Sequence, residues 1–166
     1  MTTDKIYLVG FMGAGKTTVA RALAKRLDWQ AIDIDELVEQ RERRQVSVIF
    51  TKSGEPYFRA AERAVLLEQL AKRHLVVATG GGTFVDPQNR AAINRDGVSI
   101  WLDVPLDRAI ARVPADGRRP LATDRAEFEA LFQARRSAYE HAHLRLDAGR
   151  ASVEQLVDEI VDWLDR

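Results

Sequence analysis

The sequence predicts an α/β protein built on a parallel sheet with helices on both faces. Two observations carry this. Short apolar runs of strand length alternate along the chain with segments whose apolar residues recur at helical spacing. The first such run leads through a glycine-rich loop directly into a helix. At 166 residues the chain has the size of one ordinary domain, taken as 1–166.

The elements follow in order. Ile6 to Val9 is β-favouring and ends at Gly10, and Val19, Ala20, Leu23, Ala24 and Leu27 then mark one face of a helix over Thr17 to Leu27. Gln30 to Asp33 reads as a second short strand, followed by a helix over Glu36 to Arg44. Ser53-Gly54-Glu55-Pro56 breaks the chain and starts a helix running from Pro56 to Arg73, with Arg59 in its first turn. Leu75 to Ala78 and Val98 to Leu102 are unbroken apolar runs suited to strands buried on both faces, with a helix over Pro87 to Arg95 between them. Helices over Leu106 to Val113 and Arg125 to His141 come next, then a weaker strand at Leu144 to Leu146 and a closing helix from Ser152 to Leu164. The least structured segment is Pro114 to Asp124.

Lys plus Arg equals Asp plus Glu at 25 each, so no overall positive field draws in a nucleic-acid backbone. There is no cysteine, which removes a disulfide framework, a thiolate metal site and a cysteine nucleophile together. The N-terminus shows no signal-peptide pattern, and no run approaches the roughly 18 apolar residues of a membrane span. A soluble, unprocessed, cytoplasmic protein is expected, with neither nucleic acid nor membrane as a partner. His74, His141 and His143 do not make a metal-ligand set, and Trp29, Trp101 and Trp163 read as packing residues.

Gly10-Phe11-Met12-Gly13-Ala14-Gly15-Lys16-Thr17 matches the phosphate-binding pattern Gly-x-x-x-x-Gly-Lys-[Ser/Thr] in its required place between strand and helix. Glycines let the backbone wrap an anion, the helix N-terminus offers free N–H groups, and Lys16 neutralises the outer phosphates. The Thr17 hydroxyl is the expected magnesium ligand. Gly80-Gly81-Gly82 follows the third strand, so both glycine loops are expected beyond the carboxyl ends of the strands, where open parallel sheets bind ligands.

Asp33 and Asp35, two apart at the end of the second strand, project to one side if the extended conformation continues, one toward hydrated magnesium and the other toward an attacking hydroxyl. The alternative is that Asp35 caps the next helix and Asp33 is a solvated turn residue. Arg59 gains nothing from an early helix position, so its charge seeks another partner. A carboxylate gripped by two hydrogen bonds suits it, with Arg135 or Arg136 as a second grip and Glu62 as an orienting ion pair. Arg118 and Arg119 are candidates to close over a transferring phosphoryl group.

Taken together, the phosphate loop, Asp33-Ile34-Asp35, Gly54-Glu55 with Phe58-Arg59, Gly80-Gly81-Gly82, Arg119-Pro120-Leu121, and Arg135 four residues before Tyr139 resemble the shikimate kinase family across nearly the whole chain. The resemblance implies a three-layer P-loop kinase fold, with a five-stranded parallel sheet in order 2-3-1-4-5, a substrate-binding segment at about 33–62 and a lid at about 113–124. It implies ATP and Mg2+ as the requirements and phosphorylation of the 3-hydroxyl of shikimate as the activity; a monomer is the expected form.

Residue by residue, it puts Gly13, Ala14, Gly15, Lys16, Thr17 and Thr18 on the nucleotide phosphates, Lys16 and Arg119 on the transferred group, and Thr17 and, through water, Asp33 at magnesium. It puts Asp35 on the substrate hydroxyls as base candidate, Arg59 and Arg135 on the carboxylate, Gly80, Gly81 and Gly82 against the substrate, and Arg112 with the loop near Ala148 to Arg150, Arg150 included, at adenine. This chain departs from the family's Arg-x-Pro-Leu-Tyr in reading Arg135-Arg136-Ser137-Ala138-Tyr139, which leaves Arg136 as a competitor for the carboxylate. Whether Asp35 removes a proton or only orients the hydroxyl stays open at this stage. Another acid or sugar kinase of the same architecture, or a silent nucleotide-binding regulator, are the competing readings.

Overall fold

The computed structural model describes residues 2–112 and 125–166. The strands are β1 (Lys5–Val9), β2 (Gln30–Asp33), β3 (Leu75–Ala78), β4 (Val98–Asp103) and β5 (Leu144–Asp147). They form one five-stranded sheet in the order β2-β3-β1-β4-β5. Every pairing is parallel, as the alternation of strand and helix signals requires. Ile6 through Val9 are wholly buried, the signature of a central strand with helices on both faces.

Helices α1 (Lys16–Leu27), α2 (Ile34–Glu42), α3 (Val46–Ser53), α4 (Glu55–Gln69), α5 (Pro87–Asp96), α6 (Leu106–Arg112), α7 (Arg125–Tyr139) and α8 (Val153–Leu164) surround the sheet, with a 3-10 turn at Thr83–Val85. Three departures from the sequence expectation bear on the site. Helix α3 was not anticipated, because Val46, Val48, Ile49 and Thr51 are β-branched and weak helix formers. It forms because Val46 and Ile49 bury one face in the core, and the Glu39 carboxylate accepts the Val46 N–H at 3.0 Å. Helix α4 starts one residue early, at Glu55, which puts Arg59 in the second turn, and it ends at Gln69 rather than Arg73. Helix α2 starts at Ile34, two residues early, because wholly buried Ile34 is pulled into the core.

Register places the site. Leu8 lies opposite both Ala78 of β3 and Ile100 of β4, and Asp33 lies opposite Ala78. The carboxyl ends of β1, β2 and β3 are therefore flush, and the loops after them emerge side by side where strand order switches direction. Phe11 then packs edge-on against Phe128 and Phe132 of α7, with ring centroids 4.9 and 5.1 Å away. Each such contact contributes about 1 kcal/mol beyond burial, and together they fix α7 against the loop after β1.

Candidate active site

The phosphate loop runs from Gly10 to Thr17. Gly13 and Gly15 take φ of 80° and 88°, and a side chain on Gly13 would strike the Ala109 carbonyl at 2.5 Å. Only glycine meets both demands. Lys16 is nearly buried and turns its Nζ onto the carbonyl oxygens of Gly10 and Phe11, at 2.7 and 2.9 Å. The N-terminus of α1 opens into a cleft of about 440 Å3 whose walls include Lys16, Thr17, Asp33, Asp35 and Arg112. Ala148, Ala151, Val153 and Leu156 give this cleft an apolar side, and Arg112 reaches the Gly13 carbonyl at 3.5 Å.

Asp33 and Asp35 reach the cleft by a different route from the one their spacing suggests. The strand stops at Asp33, which is itself the N-cap of α2: its Oδ1 accepts the Glu36 N–H at 3.1 Å. Its Oδ2 accepts the Thr17 hydroxyl. Asp35 sits in the first turn of α2. Capping thus falls to Asp33, not Asp35, and both carboxylates line one cleft because a helix starts between them.

The three glycines after β3 are the meeting point. A methyl group on Gly80 would lie 2.8 Å from Asp35 Oδ1, one on Gly81 would lie 2.9 Å from an Arg135 guanidinium nitrogen, and one on Gly82 would lie 2.5 Å from Arg59. The methyl on Gly81 would also come within 3.4 Å of the Met12 backbone N, so the two glycine loops lie side by side. Any side chain here fills the space between one acid and two guanidinium groups. Beneath them Tyr139 donates its hydroxyl to the Gly81 carbonyl at 2.5 Å. Glu62 takes Arg59 Nη1 on both oxygens at 3.2 Å. Burial pushes the Glu62 carboxyl above its ordinary value, against the pull of Arg59 and Thr83. Burial also drives the Tyr139 phenol up, so it stays a neutral donor.

The shikimate kinase family model matches residues 12–165 of this sequence. The chain belongs to the shikimate kinase family. Shikimate kinase from Persephonella marina is 40% identical over 157 residues, covering 94% of this chain and 96% of the relative. Among solved structures, the Acinetobacter baumannii shikimate kinase in complex with shikimate has a TM-score of 0.94 at 34% identity, covering 98% of this chain and 93% of that one. The Aquifex aeolicus shikimate kinase has a TM-score of 0.88 at 33% identity, over 97% of this chain and 96% of that one. A deoxyadenosine kinase from M. mycoides, at 20% identity and TM-score 0.65, shares the fold.

Against this family frame, Gly13 to Thr18, Asp33, Asp35 and Arg112 line the cleft, and Gly80 to Gly82 adjoin Asp35, Arg59 and Arg135. Arg135 and Arg136 separate cleanly. Arg135 is buried against Gly81, whereas Arg136 points away, pairs with Asp103 at 2.9 Å and stacks on Trp101. Arg150 is exposed and does not line the cleft. Its neighbours Ala148 and Ala151 do, because the backbone after β5 turns the small side chains inward. Arg118 and Arg119, with the expected lid at 113–124, lie outside the described residues. Among the described residues no group of histidines and acids has metal-binding geometry, and no helix is long and apolar enough to cross a membrane. His143 instead accepts the Ser99 N–H on its Nδ1 at 3.0 Å. Sequence reasoning missed Ala151, Val153 and Leu156 in the cleft wall, and Thr83, which lies buried behind the glycine loop and not in that wall. Small or apolar residues carry no local signal of a ligand wall.

Proposed function

We propose that the chain transfers the terminal phosphoryl group of ATP to the 3-hydroxyl of shikimate, giving shikimate 3-phosphate and ADP, in the cytoplasm and as a monomer. The observation that carries this is the convergence of Asp35, Arg135 and Arg59 on three successive glycines that lie beside the phosphate loop. Two guanidiniums suit a carboxylate, one carboxylate suits vicinal hydroxyls, and glycines leave room for a ring and offer backbone amides. The Acinetobacter relative, solved with shikimate, has the same fold over nearly its whole length.

The nucleotide phosphates lie on the amides of Gly13 to Thr18 at the positive end of α1. Lys16 leaves the Gly10 and Phe11 carbonyls to meet the β- and γ-oxygens. The Thr17 hydroxyl and Asp33 carboxylate, bonded to each other beside that loop, are hard oxygen donors of the kind that fit Mg2+, which keeps most of its waters and takes one or two protein ligands. Bound there, the ion would neutralise charge on the phosphate oxygens. Adenine fits the apolar wall of Ala148, Ala151 and Leu156, with Arg112 alongside.

Arg59 and Arg135 hold the substrate carboxylate and so aim the ring. Asp35 accepts a hydrogen bond from the reacting hydroxyl and orients its oxygen toward the γ-phosphorus. The new O–P bond forms as the bond from the γ-phosphorus to the bridging oxygen breaks, ADP leaves, and the hydroxyl proton passes to Asp35 and on to solvent. In a loose transition state this proton moves late, so orientation is the larger part of what Asp35 supplies.

A coupled assay tests the reading. Purified protein with Mg2+ and ATP releases ADP in response to shikimate, and not comparably to gluconate or AMP; stimulation by either of those instead overturns it. Arg135→Ala is expected to raise the shikimate KM by about 100-fold, as expected for loss of a buried charge-assisted pair, while Arg136→Ala changes it less than about threefold. An unchanged KM for Arg135→Ala would reject its role.

A further inference from the structure

Thr83 is wholly buried at the end of the glycine loop, and its hydroxyl does two things at once. The oxygen accepts the Gly80 N–H at 3.0 Å, while the Thr83 N–H donates to the Gly80 carbonyl at 3.2 Å. These reciprocal bonds close Gly80 to Thr83 into a small ring. Three consecutive glycines lose more freedom on ordering than any other tripeptide, so a clamp across them restricts motions that would otherwise blur the positions of their amides. The hydroxyl proton points the other way, to Glu62 Oε2 at 3.0 Å, and Glu62 in turn holds Arg59. A Gly80 amide, the Thr83 hydroxyl, the Glu62 carboxylate and the Arg59 guanidinium therefore form one directed chain, with every donor aimed toward the acid.

We infer that Thr83 is a positioning residue: its hydroxyl locks the three-glycine loop to the Glu62–Arg59 pair, fixing the distance between the loop amides and the guanidinium that together receive the acid substrate. The inference rests on the shikimate reading of the site but concerns a residue that touches neither substrate nor nucleotide. A hydroxyl is needed and a methyl group is not. Thr83→Val keeps shape and burial but leaves both the Gly80 amide and the Glu62 carboxylate short of a partner. Thr83→Ser keeps the chain intact.

The test measures KM for shikimate, KM for ATP and kcat for the wild type and both variants. Thr83→Val is expected to raise the shikimate KM about tenfold, the scale of losing one buried hydrogen-bonded link, with the ATP KM within about twofold. Thr83→Ser is expected to restore the shikimate KM to within about threefold of wild type. A Thr83→Val enzyme with unchanged shikimate KM, or equal losses for both substrates, overturns the inference. So does a Thr83→Ser enzyme as impaired as Thr83→Val. A double-mutant cycle adds a second readout: in a Glu62→Gln background, the valine substitution is expected to cost less than half of its effect in the wild type. Full additivity there counts against the chain. If Thr83→Val does not fold, Thr83→Ala takes its place in the same cycle. Failure of the wild type to use shikimate at all would instead strike the function reading, so the two failures are distinguishable.

Discussion

Glu62 and Asp96 are acids bonded to a cation at opposite ends of the sheet, yet their carboxyl groups are displaced in opposite directions. Glu62 lies beyond the end of β3, and burial, the largest influence, lifts it above its ordinary value despite Arg59, Thr83 and Arg135. Asp96 lies before the start of β4. Burial pushes it up as well, but Lys5, Tyr7 and Arg73 outweigh that and hold it low. Deeper burial of Glu62 and the tighter bonding of Asp96 together explain the contrast. Lys5 Nζ is 2.6 Å from Asp96, and the Tyr7 hydroxyl also donates to it at 2.6 Å. Arg59 stands at 3.2 Å from Glu62 and is partly exposed. Lys5 further donates to the Gln69 and Leu70 carbonyls, capping the end of α4. One end of the molecule is electrostatically closed, while the other leaves the Arg59 guanidinium partly open to solvent.

The two buried lysines sharpen this contrast most. Lys16→Met is expected to lower kcat by roughly 1000-fold, the scale of losing one preorganised group at a charge-developing centre, with a smaller fall in Tm than Lys5→Met, because Lys16 gives up two carbonyl bonds but leaves no buried acid without its cation. Kinetics and a thermal melt on the same sample check it, and a large fall in Tm would place Lys16 on the structural side. Lys5→Met should do the reverse. It leaves Asp96 and two helix-end carbonyls without their cation, a loss of about 3 kcal/mol and therefore roughly 10 °C in Tm. The folded fraction should keep its KM for both substrates; an altered shikimate KM would show that the two ends are coupled.

The smallest effect is the pH dependence. A carboxyl raised on folding, such as Glu62, binds its proton more tightly in the folded chain. Its stabilising contribution is full below the ordinary glutamate range and is lost as pH rises through the raised value. Asp96 is lowered, so its contribution is present above the ordinary aspartate value and is lost as pH falls through the lowered one. Melts of Glu62→Gln against wild type at about pH 4 and about pH 8, and of Asp96→Asn against wild type at about pH 6 and about pH 2.5, should therefore diverge in opposite senses. The deficit of Asp96→Asn shrinks toward acid, and Glu62→Gln gains on the wild type toward alkali, by a few degrees each. Parallel trends would remove the contrast.

How much of this was legible in the sequence depends on how local each signal is. The phosphate loop is contiguous, so spacing alone locates it, and the strands were visible because buried parallel strands are unbroken apolar runs. The acids were visible as residues but not as geometry: nothing in Asp33-Ile34-Asp35 announces that burial of Ile34 starts a helix there. Arg135 and Arg136 are neighbours in sequence and about 100° apart on a helix. Only the packing of Phe128 and Phe132 against Phe11 decides which of them faces Gly81. Thr83 was invisible because its significance lies in Glu62, 21 positions away.

The flush ends of β1, β2 and β3 have a consequence for how such a chain tolerates insertions. Asp33 and Leu8 both sit level with Ala78, so one residue added within β3 would push the loop that follows outward by about 3.3 Å and turn its inward groups to the opposite face. Lengthening the turn before β3, around His74, leaves that alignment untouched. The inner strands thus work as a fixed ruler for the catalytic rim, and length polymorphism among functional variants should be confined to segments outside it.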